Sequence, residues 1–208
     1  MTDTNNDKRM TASEAAAVMR FFYPDDTPLR RLLVHHSRQV ARRALLVAST
    51  HPELRLDTTL IETGAMLHDI GICRCDAPGI LCTGPEPYIR HGLMGGQMLR
   101  SLVGSNLGGQ LPRTLTASDV EPLARICERH TGTGITRRQI LSQKLPLPLD
   151  GEYEPVTLEE QVVCYADKFY SKSHPERERT VEQTAEALRR FGDDCRQRFL
   201  GWAEIFER

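Results

Sequence analysis

The sequence predicts an all-α protein built as one helical bundle. Three observations carry this. Apolar residues recur at three- and four-residue steps over most of the chain. Thr, Ser or Asp followed by Pro or Glu marks several helix starts. No alternating apolar and polar run is longer than a few residues, so no sizeable sheet is expected. The 208 residues suffice for a single substantial core.

Taken in order, residues 1–10 are polar and unpatterned and are expected to be a disordered tail, with the domain occupying 11–208. A helix is expected over 11–23, capped by Thr11 or Ser13 and stopped by Pro24. Asp25-Asp-Thr-Pro28 starts a second helix reaching about Thr50, with Pro28 in the first turn where its missing N–H costs nothing. Leu29, Leu33, Val40, Ala44 and Val47 form its apolar stripe, and His36 fills the gap. Asp57 caps a third helix through Leu60, Ile61, Ala65 and Leu67, with Gly71 closing it. Residues 72–88 read as a loop. A helical stretch follows over 91–103, then a turn at 104–110 and a helix from Ser118 or Asp119 to about Arg129. A short helical piece at 137–143 precedes the Pro-rich 145–149. Thr157-Leu-Glu-Glu160 is a capping box opening a helix through Val162, Val163, Ala166 and Phe169. Two amphipathic helices, at about 177–191 and 194–206, finish the chain. Phe199, Trp202 and Phe206 pin the last one to the body or, alternatively, offer a homodimer face.

Composition narrows the function classes. With 27 Lys and Arg against 28 Asp and Glu, the net charge of −1 argues against long nucleic acid as a partner. No run approaches the roughly 20 apolar residues of a membrane span, and the first residues lack the apolar core of a signal peptide, so a cytoplasmic protein without a membrane partner is expected. Six cysteines with no CxxC pair suggest neither a zinc ribbon nor a disulfide scaffold; Cys73 and Cys75 are expected to be reduced loop thiols.

The histidines are more informative. His36 stands in an apolar stripe, where a lone histidine is by itself more often structural than a ligand; His35 is rotated about 100° away. His68-Asp69 ends an apolar helix. A carboxylate at a helix C-terminus is unfavourable without a cation. His91 opens one helix and His130 follows another, and either alone is more often a surface histidine than a ligand. Asp167 sits in the apolar segment Val162-Val-Cys-Tyr-Ala-Asp, where a buried carboxylate requires a cation, strong hydrogen bonds or a proton. Imidazole with carboxylate suits Mn, Fe, Co, Ni or Zn rather than Ca. His51 and His174 are expected to be solvated, and the charged run 176–180 to be exposed helix surface.

The ordered set His36, His68-Asp69, His91, His130 and Asp167 resembles the HD superfamily of metal-dependent phosphohydrolases. The resemblance spans about 28–173, has the "HDIG" form at His68-Asp-Ile-Gly71 and includes His36-Ser-x-x-Val-Ala. The segments Glu128-Arg-His-Thr-Gly-x-Gly134 and Tyr165-Ala-Asp-Lys168 are similar to an uncharacterised HDIG branch. The resemblance implies that His36, His68, Asp69 and Asp167 hold one divalent transition metal ion, and that His91 and His130 hold a second with Asp69 bridging. It implies hydrolysis of a phosphate ester or anhydride of a small phosphorylated substrate, a nucleotide foremost, by metal-activated water. His68, Asp69 and Lys168 are then the expected catalytic residues, with Lys168 reaching the phosphate. Arg74, Arg90, Arg137, Arg138 and Lys172 are weaker phosphate candidates, because 23 of the 27 cationic residues are Arg and proximity to a motif is partly chance. Ile72 stands where many members carry a basic residue. Thr131 after the fourth histidine and the Ala166-Asp167 pair resemble diadenosine tetraphosphate hydrolases. An HD-fold diiron oxygenase is an alternative enzyme class. A non-catalytic metabolite-binding module would need a broken ligand set, and this one is complete. Specificity is expected in residues 72–88 and 131–156.

Overall fold

The structure, a computed structural model, describes residues 9–208. The expected tail lies outside the described residues as far as position 8. At its end the expectation is corrected: Met10 is buried in the core and Arg9 pairs with Asp57 at 3.0 Å, so the packed chain begins before Thr11.

The elements largely follow the expected order. α1 spans Ala12–Phe22 and α2 Pro28–Thr50, each capped by a threonine side chain, Thr11 and Thr27. α3 spans Thr58–Leu67 behind the Asp57 cap, and α4 spans His91–Arg100. α5, Ala117–Arg129, is capped by Thr116, one or more residues earlier than expected, because Thr116 and Asp119 close a capping box. α6 is Arg137–Gln143 and α7 Leu158–Asp167, the latter opened by the Thr157–Glu160 box. α8 spans Val181–Leu188 and α9 Asp193–Phe206. α3 lies at the centre of the bundle, touching α1, α2, α5 and α7, while α4 packs along α5. No described helix is long and apolar enough to cross a membrane.

Four local expectations change. Gly71 does not close α3 through a left-handed turn. The chain leaves the helix at Asp69 (φ −102, ψ 11) and enters a 3-10 turn over Ile70–Arg74. The loop at 72–88 folds into a small sheet of β1 (Cys75–Ala77), β2 (Cys82–Thr83) and β3 (Glu86–Pro87), in the order β2-β1-β3. The expected helix at 177–191 starts only at Val181; the charged run before it is part of β5 (His174–Glu178), antiparallel to β4 (Tyr170–Ser171). This hairpin is strapped to α2, with Gln39 Nε2 donating to the Pro175 carbonyl at 2.9 Å and Arg43 pairing with Glu178 at 2.7 Å. His51 is buried rather than solvated, its Nε2 lying 3.2 Å from the Phe206 carbonyl oxygen. Phe199, Trp202 and Phe206 are buried against the body as expected.

Candidate metal centre

Five helices deliver six buried ligand-type side chains to one point. His36 comes from the middle of α2, His68 and Asp69 from the end of α3, His91 from the first residue of α4, His130 from just beyond α5, and Asp167 from the last turn of α7. Neighbours on a continuous helix diverge by about 100°. The break after His68 turns Asp69 back, so that His68 Nε2 and Asp69 Oδ2 stand 3.0 Å apart.

Local backbone fixes the imidazoles. Nδ1 of His68, His91 and His130 each lies 2.7 Å from the carbonyl oxygen three residues earlier, those of Ala65, Tyr88 and Cys127. A carbonyl only accepts, so each Nδ1 carries a proton and Nε2 is the nitrogen turned inward, bare whenever the ring is neutral. Tyr88 also stacks on the His91 ring at 4.6 Å between centroids.

Asp69 is shared between two groups. Its Oδ2 faces His36 at 3.3 Å and His68 at 3.0 Å, while its Oδ1 faces His91 and His130, each at 3.4 Å. Asp167 Oδ1 completes the first group, 2.9 Å from His36 Nε2 and 3.5 Å from His68 Nε2. His36, His68, Asp69 and Asp167 could therefore hold one ion, and Asp69, His91 and His130 another.

The residues fit such ions on two counts. The buried His68 Nε2 and Asp69 Oδ1 find no aligned hydrogen-bond partner, although unpaired buried polar atoms are costly. The Nε2 atoms of His91 and His130 are 2.9 Å apart, so two acceptors face one another unless a cation or proton lies between them. Donors bonded to one transition metal at about 2.1 Å would stand about 3.0–3.4 Å apart, between octahedral and tetrahedral angles. The observed separations lie in or near that band.

Charge balance follows the same division. Burial works against the Asp69 carboxylate, but Lys172 and His68 outweigh it and hold it well below the usual range. Asp167 is likewise held low, burial being opposed chiefly by Lys168 and His36. Burial would depress His68, yet Asp69 and Asp167 lift it to about 9. His91, desolvated and facing His130, is pushed down to about 3. The first group thus has carboxylates to spare, and the second consists of two neutral imidazoles around one shared oxygen.

Two lysines flank the ligands. Lys168 Nζ is tied to Asp167 Oδ2 at 2.6 Å and donates to the His130 carbonyl at 2.8 Å. Lys172, at the tip of the β4–β5 hairpin, reaches Asp69 Oδ2 at 2.5 Å. Sequence spacing ranked Lys172 below Lys168 because only the hairpin brings it back over the site. Arg74, Arg90, Arg137 and Arg138 are not among the residues lining the site's cavity; Arg90 pairs with Glu86 and Arg137 donates to the Leu149 carbonyl. Burial pushes the Cys75 thiol up to about 12, and neither Cys73 nor Cys75 joins a ligand group.

A cavity of about 400 Å³ opens over the centre. His91, His130, Asp167, Lys168 and Lys172 face it. Its walls come partly from the two expected loops, through Ala77, Gly79, Ile80, Thr131 and Gly132, and partly from the hairpin and α8, where no specificity was expected.

A family model for the HD domain matches residues 33–171, most of the chain and all six candidate ligands. The chain belongs to the HD domain family. This HD domain is 34% identical over 139 residues to an uncharacterised protein of Methanocaldococcus jannaschii, covering 66% of this chain and 65% of that one. It is 31% identical over 140 residues to a tRNA (cytidine(56)-2'-O)-methyltransferase of Picrophilus torridus, and 29% identical over 139 residues to that of Thermoplasma volcanium. Each match covers 67% of this chain but only 32% of the methyltransferase. The chain thus spans about two thirds or one third of the length of these relatives. Among solved structures, the HD domain of the L. monocytogenes phosphodiesterase PgpH matches with a TM-score of 0.47 at 16% identity, covering 92% of this chain and 99% of that one. Its complex with cyclic-di-AMP matches with a TM-score of 0.44, also at 16% identity, covering 87% and 98%.

Proposed function

We propose that this HD domain is a metal-dependent phosphohydrolase that cleaves a phosphate ester or anhydride of a small metabolite, a nucleotide foremost. The observation that carries the reading is the division of Asp69 between two sets of inward-facing imidazoles. Its oxygens are thereby offered to two ions side by side, at the floor of a cavity rimmed by cations.

Divalent ions held by His36, His68, Asp69 and Asp167 and by Asp69, His91 and His130 would supply a water acidified to near-neutral pH and positive charge against the phosphoryl oxygens. The chain's own residues do the rest. The carbonyls of Ala65, Tyr88 and Cys127 keep three imidazoles in the tautomer that binds through Nε2. Lys168 steadies Asp167. Asp69 and Asp167 lift Lys172 above its ordinary range, outweighing burial, so it stays an ammonium and acts as a fixed charge toward an incoming phosphate rather than as an acid.

The test is phosphate release from nucleotides, dinucleoside polyphosphates, cyclic nucleotides and sugar phosphates, with Mn, Co, Ni, Zn or Fe supplied in turn. Metal-dependent release that vanishes in a His68→Ala, Asp69→Ala double variant is expected. Metal-loaded protein that hydrolyses none of these would overturn the reading. An iron-loaded form whose optical band responds to O2 would favour an oxygenase instead.

A further inference from the structure

We propose that the cavity binds nucleotides carrying a second phosphate, with one phosphate at the metal centre and the other held by Arg179 and Arg190. This rests on the phosphohydrolase reading for the first phosphate and names the substrate class of the same site.

Four cationic side chains line the cavity: Lys168, Lys172, Arg179 and Arg190. The two lysines are matched from below by Asp167 and Asp69 at 2.6 and 2.5 Å. Arg179 and Arg190 pair with no carboxylate among the described residues. They are thus the cavity's two cations that no carboxylate neutralises, in contrast to Arg43, Arg100, Arg113 and Arg129, each engaged by two acidic side chains. An unpaired arginine is not itself a signal in so arginine-rich a sequence; what singles these two out is that they are the arginines lining the cavity that also holds His91, His130 and Asp167.

Placement adds to this. Arg179 is half-buried, and its guanidinium lies 3.5 Å from the carbonyl oxygen of Lys168, the residue after the ligand Asp167. Arg190 is exposed at the cavity rim, its guanidinium over the ring of Phe191 at 4.5 Å. Ile80, Leu188 and Phe191 give that wall an apolar surface suited to a sugar or a base. A guanidinium offers a planar fork matched to phosphate oxygens. A lone phosphate on the metal centre would leave both forks without a partner. The volume of about 400 Å³ is that of a small-molecule site rather than a polymer groove.

The test is calorimetric titration of Mn-loaded protein with two uncleavable ligands, both joined to the nucleoside through carbon: the methylene-bridged diphosphonate analogue of ADP and the phosphonate analogue of AMP. The wild type is expected to prefer the former by about 100-fold, and Arg179→Gln with Arg190→Gln to shrink that ratio to within about threefold, each lost charge-assisted contact costing about tenfold. A variant that merely loosened the fold would weaken both ligands and leave the ratio intact. No preference in the wild type, or a ratio unchanged in the variant, overturns the proposal. The outcome is independent of turnover. A protein that shows the preference but hydrolyses nothing would sink the phosphohydrolase reading alone, and an active enzyme without the preference would sink the subsite alone.

Discussion

Gly71 lies against the first turn of α4 so closely that a Cβ on it would stand 2.2 Å from the carbonyl oxygen of His91 and 2.3 Å from the amide nitrogen of Gly95. The glycine of the HDIG segment therefore acts through packing. It lets the turn that carries Asp69 nest on the helix that carries His91, and so sets the distance between the two ligand groups.

Gly71→Ala should cost about 3 kcal/mol of stability, at the upper end for overpacking, because the obstructing atoms are backbone and cannot rotate away. It should also weaken binding of the second ion. Gly79→Ala is the control, since nothing lies within 4 Å of its would-be Cβ. Denaturant melts of both variants, with and without Mn, measure this, and equal midpoints would contradict the packing role.

Metal content should approach two ions per chain in protein kept from chelators. His91→Ala or His130→Ala should reduce it to about one, and Asp69→Ala should lower occupancy of both sites. Ion at 100 times its dissociation constant should raise stability by about 2.7 kcal/mol, seen as a higher melting temperature that EDTA reverses. Metal analysis giving two ions in His91→Ala protein would move the second site elsewhere.

The two lysines should separate by readout. Lys172→Met removes an ammonium seated on Asp69, so Mn affinity should rise about tenfold, or 1.4 kcal/mol, while kcat/KM for phosphate release falls at least about tenfold. Lys168→Met unties Asp167 and should lower Mn affinity instead. Parallel Mn titrations and phosphate assays distinguish them; loss of affinity in both variants would leave Lys172 with a purely structural task.

Acid should destabilise the fold through Arg113. Burial would raise the carboxyls of Glu14 and Asp119. Thr11 and Arg113 outweigh it for Glu14, as do Arg113 and Thr116 for Asp119, so both are held below their ordinary values of 4.5 and 3.8. A carboxyl depressed in the folded state contributes stability that is complete above its unfolded value and lost as pH falls through the folded one. Denaturation midpoints measured from pH 7 to 3 should therefore drop below about pH 4.5, and drop less steeply in Glu14→Gln, Asp119→Asn protein. An identical slope in that variant would place the acid sensitivity elsewhere.

Much of this arrangement was legible in the residues. α2 falls where its cap and apolar spacing put it, the short helix at 137–143 is found as α6, and the six ligand-type side chains assemble at one point. What the sequence hid has physical causes. The β5 strand, His-Pro-Glu-Arg-Glu, has no buried face and no apolar alternation, so it leaves no strand signal. His51 is buried by a carbonyl 155 residues away. Gly71 looked like a helix stop because a left-handed turn and a close contact demand the same residue. The cavity wall of Lys172, Arg179 and Arg190 exists only once the hairpin folds back over α2. Lys168, ranked first by adjacency to Asp167, is held by that very neighbour.

His36 and Asp167 meet across 131 residues of chain. An ion held by both would be a removable cross-link closing most of the domain into one loop. In the unfolded chain such a closure costs entropy that grows only as the logarithm of loop length. Because its other ligands, His68 and Asp69, come from the end of α3, the ion would have a full site only after α2, α3 and α7 have docked. Metal should therefore leave the refolding rate nearly untouched and act on unfolding, clasping the finished bundle and slowing its escape.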